Sequence, residues 1–221
     1  LDELNVSGKR VLMRVDYNVP LKDGAIVDDN RIKQSLPTLA LALEGGASLV
    51  ICSHLGRPTG APAPEFSLQP VAVRLAELLG REVRMAPDCV GPEVQAMAEA
   101  LKPGEVLLLE NLRFHPGETK NDPDFSRELA KLGQVYVNDA FGASHRAHAS
   151  VVGVTEYITD CCGGLLLKKE WQYLGEALEN PARPFVAIIG GAKVSSKLGI
   201  LKALLEEVDS MIVGGAMANT F

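Results

Sequence analysis

No apolar run in this chain of 221 residues approaches the roughly 20 uninterrupted positions that a membrane-spanning helix needs. Its start, "LDELNVSGKR", also lacks the apolar core of a signal peptide. These absences point to a cytoplasmic protein without a membrane partner. The four cysteines, Cys52, Cys89, Cys161 and Cys162, include no C-x-x-C pair, and two are adjacent, where a disulfide would be strained. They are expected to be reduced and structural, as buried free thiols usually are. A cationic excess is missing as well. The formal net charge is -6, whereas nucleic-acid binders generally carry basic residues over a whole face. Nucleic acid is therefore excluded as a partner, and any positive patch must be local, which suits a small anionic ligand. Low-complexity segments and tandem repeats are absent too.

What is present is a sequence with 47% hydrophobic and 23% charged residues, enough to bury a substantial core in one large domain or two smaller ones. Short apolar runs alternate with helical patterns, the mark of β-α-β units on a mainly parallel sheet. The predicted strands are "RVLMRV" (10–15), "SLVICS" (48–53), "REVRMA" (81–86), "EVLLLE" (105–110), "QVYVN" (134–138), "FVAIIG" (185–190) and "SMIVG" (210–214). Their near-continuous hydrophobicity predicts cover on both faces. Asn121 or Asp122 caps a helix with Pro123 in its first turn and Phe125, Leu129 and Leu132 on one face. Pro70 starts another, with Val71, Leu75 and Leu78 inward. Pro37 predicts a break, so a helix is expected to begin at Ser35, leaving Arg31 in a short turn before it. The stretch 163–181 has Leu167, Trp171, Leu174 and Leu178 at helical spacing and is the candidate domain connector.

In parallel α/β sheets ligands gather outside the carboxyl ends of the strands, where loop amides and helix N-termini converge. The predicted strand ends carry Asp16 and Asn18, then His54 and Arg57, then Asn111, Arg113 and His115, then Asn138, Asp139, His145, Arg146 and His148. One arginine after a strand is ordinarily a solvated charge. Arg57, Arg113 and Arg146 follow three separate strands, and with Arg31 they would repel one another in one crevice unless an anion joined them. Guanidinium forks match carboxylate and phosphate oxygens, so the ligand should have two anionic ends. Asp16, Asn18 and Asn111 would orient hydroxyls or the arginines themselves, or Asp16 would neutralise a buried arginine; both readings stay open. His145 and His148 are spaced like a metal pair but lack a carboxylate or thiolate to complete a ligand set.

The segment "IIGGAKVSSK" (188–197) places Gly190 and Gly191 at a strand end, then Lys193 and Lys197, before a helix with Leu198, Leu201, Leu205 and Val208 on one face. A glycine turn, a helix N-terminus and lysines together suit a phosphate. The spacing matches neither of the standard phosphate-loop patterns. "IVGGAMANTF" repeats the theme with Gly214 and Gly215.

"RVDYNVP", "SHLGRP", "LLLENLRFHPGETKND", "VNDAFGASHRAHAS" and "IIGGAKVSSK" stand in this order, and together they resemble the phosphoglycerate kinase family over essentially all 221 residues. The resemblance implies a three-layer Rossmann-like α/β domain with a parallel sheet and helices on both faces, followed by an incomplete second one. It implies a phosphoglycerate-binding domain over 1–162, an interdomain helix over 163–181, and the beginning of a nucleotide-binding domain over 182–221. The reaction implied is reversible phosphoryl transfer between 1,3-bisphosphoglycerate and ADP, giving 3-phosphoglycerate and ATP with Mg2+, in a monomeric parent protein whose two domains close to exclude water. This chain would bind 3-phosphoglycerate with little or no turnover, since the segments that hold adenosine in the family are not in it.

By motif, Asp16 and Asn18 are similar to ligands of the substrate's hydroxyl and carboxyl end, with Tyr17 between them. Arg31 resembles the arginine facing the transferring phosphoryl group, and His54, Leu55, Gly56, Arg57, Arg113 and Arg146 the patch that holds the 3-phosphate. Lys193 and Lys197 resemble lysines that meet nucleotide phosphates, with Gly191, Ala192 and Gly215 lining that side; Arg31 and Lys193 would be the catalytic pair. Family members often have an aspartate near Ser196 that helps hold magnesium, so the metal ligands here are unassigned. The run before the connecting helix, with Cys161 and Cys162, also departs from the family pattern. Two rivals remain. A regulatory domain would bind phosphometabolites without catalysis, and a sugar-phosphate isomerase or phosphatase would need His54 as its base.

Overall fold

Successive strand residues point to opposite faces, so an apolar run such as Val11–Leu12–Met13 needs cover on two sides. The structure, a computed structural model, describes residues 1, 4–191 and 198–220 and supplies that cover. In chain order the elements are β1 (Arg10–Arg14), β2 (Leu21–Lys22), β3 (Ala25–Ile26), α1 (Asn30–Glu44), β4 (Ser48–Cys52), α2 (Gln69–Leu79), β5 (Val83–Met85), α3 (Pro92–Glu99) and β6 (Val106–Leu108). There follow α4 (Pro116–Lys120), α5 (Pro123–Ala130), β7 (Val135–Asn138), β8 (Cys161–Gly163), α6 (Leu165–Glu179), β9 (Val186–Gly190), α7 (Leu198–Glu207) and β10 (Ser210–Gly214). Six strands form one sheet in the order β5-β6-β4-β1-β7-β8, every pair parallel.

The pleat sorts the core into two layers. Val11, Met13, Leu49, Ile51, Val135 and Val137 face Ile32 and Leu39 of α1 and Val71 and Leu75 of α2. Leu12, Val50, Leu107 and Tyr136 face Val94 and Ala98 of α3 and Phe125 and Leu129 of α5. Each such large side chain, fully buried, contributes about 1.5–3 kcal/mol. The chain divides into two compact units, Leu1–Lys169 and Glu170–Phe221, and the division falls inside α6. In the first unit the start of α6 is tied down: Leu165 N–H donates to Thr38 Oγ1 (3.0 Å) and Leu167 N–H to Asp139 Oδ1 (3.0 Å). A Cβ at position 164 would collide with the Asp139 carboxylate, so this approach requires Gly164.

Three expectations need correction. Pro37 does not break the helix; α1 runs through it, and Arg31 lies in the first helical turn rather than before it. Pro37 is exposed, so the carbonyl that loses its partner can be hydrated, while Ile32, Leu39 and Ala42 gain burial on the opposite side. Second, the hairpin β2–β3 and the strand β8 were not foreseen. Both are too short to show periodicity, and β8 is recruited by pairing Tyr136 with Cys161 and Val137 with Cys162. Third, Cys161 is exposed on that edge strand, whereas Cys52 and Cys89 are buried as expected and all four are free. β9 and β10 pair in parallel in the second unit, where two strands and one helix are too few to cover both faces: Ile188 is 76% and Ile212 53% exposed. Trp171, Leu174 and Leu178 of α6, and Leu198 and Leu205 of α7, are likewise open, while Leu201 and Met217 are buried.

The amino end of α5 tests the local reading. Asp122 is its cap, accepting from the N–H groups of Asp124 (3.0 Å) and Phe125 (2.9 Å). Asp122→Ala should lower stability by about 1 kcal/mol, seen as a lower urea midpoint with an unchanged slope, whereas Asp124→Ala should change it by less.

Candidate anion-binding site

β6, β4, β1 and β7 are consecutive neighbours in the sheet, so the loops leaving their carboxyl ends surround one crevice. A cavity of about 270 Å³ opens there, lined by Asp16, Asn18, Arg31, His54, Gly56, Arg57, Arg113, Gly142, Ala143 and Arg146. Eight of the ten residues marked in sequence for this side are therefore brought together. Tyr17 and Leu55 are not. Their side chains turn into the core, where the Tyr17 hydroxyl pairs with Ser35 Oγ (2.9 Å) and Leu55 is 3% exposed. The loops continue the strands' alternation, so neighbours of cavity residues face inward. Burial pushes the Tyr17 phenol well up, with Ser35 opposing and Asp139 adding to the rise. Gly142 and Ala143, on the short helical turn after β7, were missed, although that loop was flagged; at Gly142 a Cβ would sit 3.0 Å from Asp16 Oδ2.

Four guanidinium groups face one carboxylate in this cavity. Asp16 pairs with Arg31, while Asn18 Oδ1 accepts from Gly56 N–H (2.8 Å) and so holds the β4 loop against the β1 loop. Arg113 Nη1 donates to Gly56 O (2.7 Å), and its Nε is buried with no hydrogen-bond partner. Burial first, then Arg146, Arg14 and Arg57, lowers the Arg113 pKa, the electrostatic sign of a site short of negative charge. Asn111, buried, faces away from the cavity; it donates to Leu55 O and Phe66 O and caps the Arg113 turn. Asp139 anchors α6 and lies outside the cavity lining.

A deeper layer escaped sequence reasoning. Arg14, fully buried, donates from Nε to Ser150 Oγ (2.9 Å), from Nη1 to Val15 O, and from Nη2 to His54 Nδ1 (3.0 Å). Ser150 in turn donates to Glu118 Oε1 (2.7 Å). Burial alone would raise the Glu118 carboxyl, but His148, Arg14 and Ser150 outweigh it and hold it below its ordinary value. The available signal was Arg14 itself, a charge inside a strand otherwise read as covered on both faces.

His54 is held near pKa 2, first by burial and then by Arg14, Arg113, His148 and Arg31, so it is neutral. Its Nδ1 faces a guanidinium rather than a carboxylate, and Asp16 is engaged with Arg31, so the base that an isomerase or phosphatase would need is not formed. Among the described residues the one ligand cluster is Asp88, Cys89 and His115, where Asp88 Oδ1 already pairs with His115 Nε2 (2.7 Å). In the second unit, Gly191 (φ 143°) and Gly215 (φ 64°) leave β9 and β10 side by side in conformations that favour glycine. Ala192, Lys193, Ser196 and Lys197 lie outside the described residues.

Neutral His54 has a consequence for stability. The unfolded chain takes up a proton near pH 6.5 that the folded state refuses until about pH 2, so stability falls as pH drops below 6.5. This group's share is up to about 1.4 kcal/mol per pH unit. His54→Gln should flatten the acid limb of a stability profile measured by urea unfolding from about pH 7 to 5; an unchanged slope would count against a buried neutral imidazole.

The statistical model of the phosphoglycerate kinase family matches residues 1–221. The phosphoglycerate kinases of Chloroherpeton thalassium and Moorella thermoacetica are each 59% identical over 221 residues. The match covers 100% of this chain and 56% of each relative, so the chain spans a little over half their length. Among solved structures, the phosphoglycerate kinase of Coxiella burnetii superposes with TM-score 0.88 at 44% identity, covering 100% of this chain and 55% of that one. That of Pyrococcus horikoshii OT3 gives TM-score 0.89 at 35% identity, covering 99% and 56%. A family match running from the first residue to the last, with relatives this similar along the whole chain, establishes that the chain belongs to the phosphoglycerate kinase family.

Proposed function

We propose that the crevice binds 3-phosphoglycerate and 1,3-bisphosphoglycerate, and that the parent protein catalyses reversible phosphoryl transfer from the acyl phosphate to ADP, this chain alone giving little or no turnover. In that step an oxygen of the ADP β-phosphate attacks the transferring phosphorus, the bond to the acyl oxygen breaks, and the carboxylate of 3-phosphoglycerate leaves. The observation that carries the reading is the cavity itself. Arg31, Arg57, Arg113 and Arg146, from α1 and three loops, surround about 270 Å³ with one carboxylate among them. A ligand carrying a phosphate at one end and a carboxylate or acyl phosphate at the other matches that charge, and the buried, unpartnered Arg113 Nε is one donor awaiting an acceptor.

Within this reading His54, Arg57, Arg113 and Arg146 hold the 3-phosphate, with Gly56 in the loop beside them, while Asp16 and Asn18 meet the hydroxyl and carboxyl end. Tyr17 and Leu55 would contribute backbone alone. Arg31 neutralises charge on the transferring group, which is most of what such a transfer asks of a protein. Gly191, Ala192, Lys193, Lys197 and Gly215 would belong to the nucleotide side, with Lys193 the partner of Arg31 in catalysis. Magnesium would arrive with ATP or ADP as part of the substrate; the cluster Asp88, Cys89 and His115 mixes a thiol and an imidazole and does not suit it. We assign residues 1–162 to the phosphoglycerate-binding domain, 163–181 to an interdomain helix and 182–221 to the beginning of the nucleotide-binding domain. The protein would act in the cytoplasm as a monomer, and no helix of the described residues is long and apolar enough to cross a membrane.

Calorimetric titration of this chain with 3-phosphoglycerate, and separately with magnesium-ATP, tests the reading. The first is expected to bind, more weakly as salt rises, and the second to bind far less. Arg31→Ala and Arg146→Ala should each weaken the first at least about tenfold, the scale of one charge-assisted hydrogen bond. A folded chain that takes up no 3-phosphoglycerate would overturn it.

A further inference from the structure

We propose that Arg14 is a positioning residue: through the chain Glu118–Ser150–Arg14–His54 it fixes which nitrogen of His54 carries the proton, and presents the cavity with an Nε2–H donor. The chemistry of the two ends fixes the sense of the chain. A guanidinium donates and never accepts, so the ring nitrogen 3.0 Å from Arg14 Nη2, Nδ1, must be the bare acceptor. A neutral imidazole has one proton, which then lies on Nε2. His54 lines the cavity, and among the described residues Nε2 has no protein partner, so that N–H is left for whatever occupies the site.

The other end of the chain has the same fixed sense. A carboxylate only accepts, so Ser150 Oγ, 2.7 Å from Glu118 Oε1, spends its single proton there and must receive from Arg14 Nε at 2.9 Å. Glu118 also accepts from Ser150 N–H (2.9 Å), and the chain around it is pinned by Ala149 N–H donating to Glu118 O (2.9 Å). Reversal would require Arg14 to accept or Glu118 to donate. Arg14, Ser150 and Glu118 are 0% exposed, so water does not offer a substitute partner. His148 Nδ1, at 3.6 Å from Glu118 Oε1, is too far to displace Ser150. Arg113, Arg31 and His148, the remaining ionisable groups facing His54, together with Arg14 disfavour a second proton on the ring.

The consequence, which rests on the phosphoglycerate reading of the cavity, is a division of labour. The guanidinium groups supply charge that does not vary with pH, and His54 supplies one oriented neutral donor whose direction is set from behind. A protonated ring would add charge but open the Arg14 contact, because Nδ1 would then carry a hydrogen pointing at a cation.

Long-range 1H–15N correlation spectra of the labelled chain, with His54 identified by loss of its signals in His54→Gln, read the tautomer directly. The expected pattern is protonated Nε2 and bare Nδ1, unchanged from about pH 8 to 5.5, where an unperturbed imidazole would titrate. An Nδ1-protonated ring, or titration inside that range, overturns the proposal. Arg14→Met, if folded by circular dichroism, should give a second population protonated at Nδ1, and Arg14→Lys, which keeps a donor, should restore the single form. An unchanged spectrum in Arg14→Met also overturns it. If Arg14→Met does not fold, Arg14→Gln is read in its place: its side-chain amide can accept as well as donate, so a second population protonated at Nδ1 is expected there too, and an unchanged single form sinks the proposal. Adding 3-phosphoglycerate separates the two readings. The tautomer pattern without any ligand-induced shift of the Nε2–H signal would leave the Arg14 assignment standing and remove the substrate.

Discussion

A guanidinium with no access to water sits at the end of the central strand of the sheet, and the site is organised around satisfying it. An isolated buried charge costs several kcal/mol, so Arg14 has to be answered by a counter-charge and by acceptors for its fork. Glu118 comes from α4, Ser150 from the loop after β7 and His54 from the loop after β4, each joined to the end of β1 by the same hydrogen-bonded chain. Three of the loops that build the cavity are thereby referred to one buried group. The separation of 136 residues between Arg14 and Ser150 shows how far along the chain that reference reaches.

In front of this layer the electrostatics change sign of purpose. Behind the wall charge is compensated, whereas in the cavity it is left in excess, with Arg31, Arg57, Arg113 and Arg146 against Asp16. The scaffold holds like charges at close quarters because α1 and three separate loops each carry one arginine and the sheet underneath is packed on both faces. That stored repulsion is what an anion relieves on binding. A protein of net charge -6 thus concentrates a positive field in one place.

The second unit shows the same strand grammar without the same burial. β9 and β10 pair in register and are followed by Gly191 and Gly215, yet Ile188, Ile212, Ile200 and Leu205 stay exposed. Two strands and one helix, with the short turn Gly215–Thr220, bury Leu201 and Met217 and, among the described residues, little else that is large. Local pairing is enough to form the strands, while cover of both faces is a property of neighbours.

Local chemistry made much of this legible. Continuous apolar runs between helical patterns determined a parallel α/β sheet, and the punctuation determined where ligand groups gather, because strand ends in such sheets open toward one edge. Asp122 with Pro123 marked a helix start that the structure keeps. Pro37 misled, since its cost depends on whether the freed carbonyl meets water, which is a fact of the folded surface. Only tertiary structure decided the direction of individual side chains. Tyr17 and Leu55 turn inward between residues that line the cavity, and Arg14, Ser150 and Glu118 meet from distant parts of the chain. Sequence spacing carries the period of a strand or helix, but which face becomes cavity and which becomes core is set by the elements that pack against it.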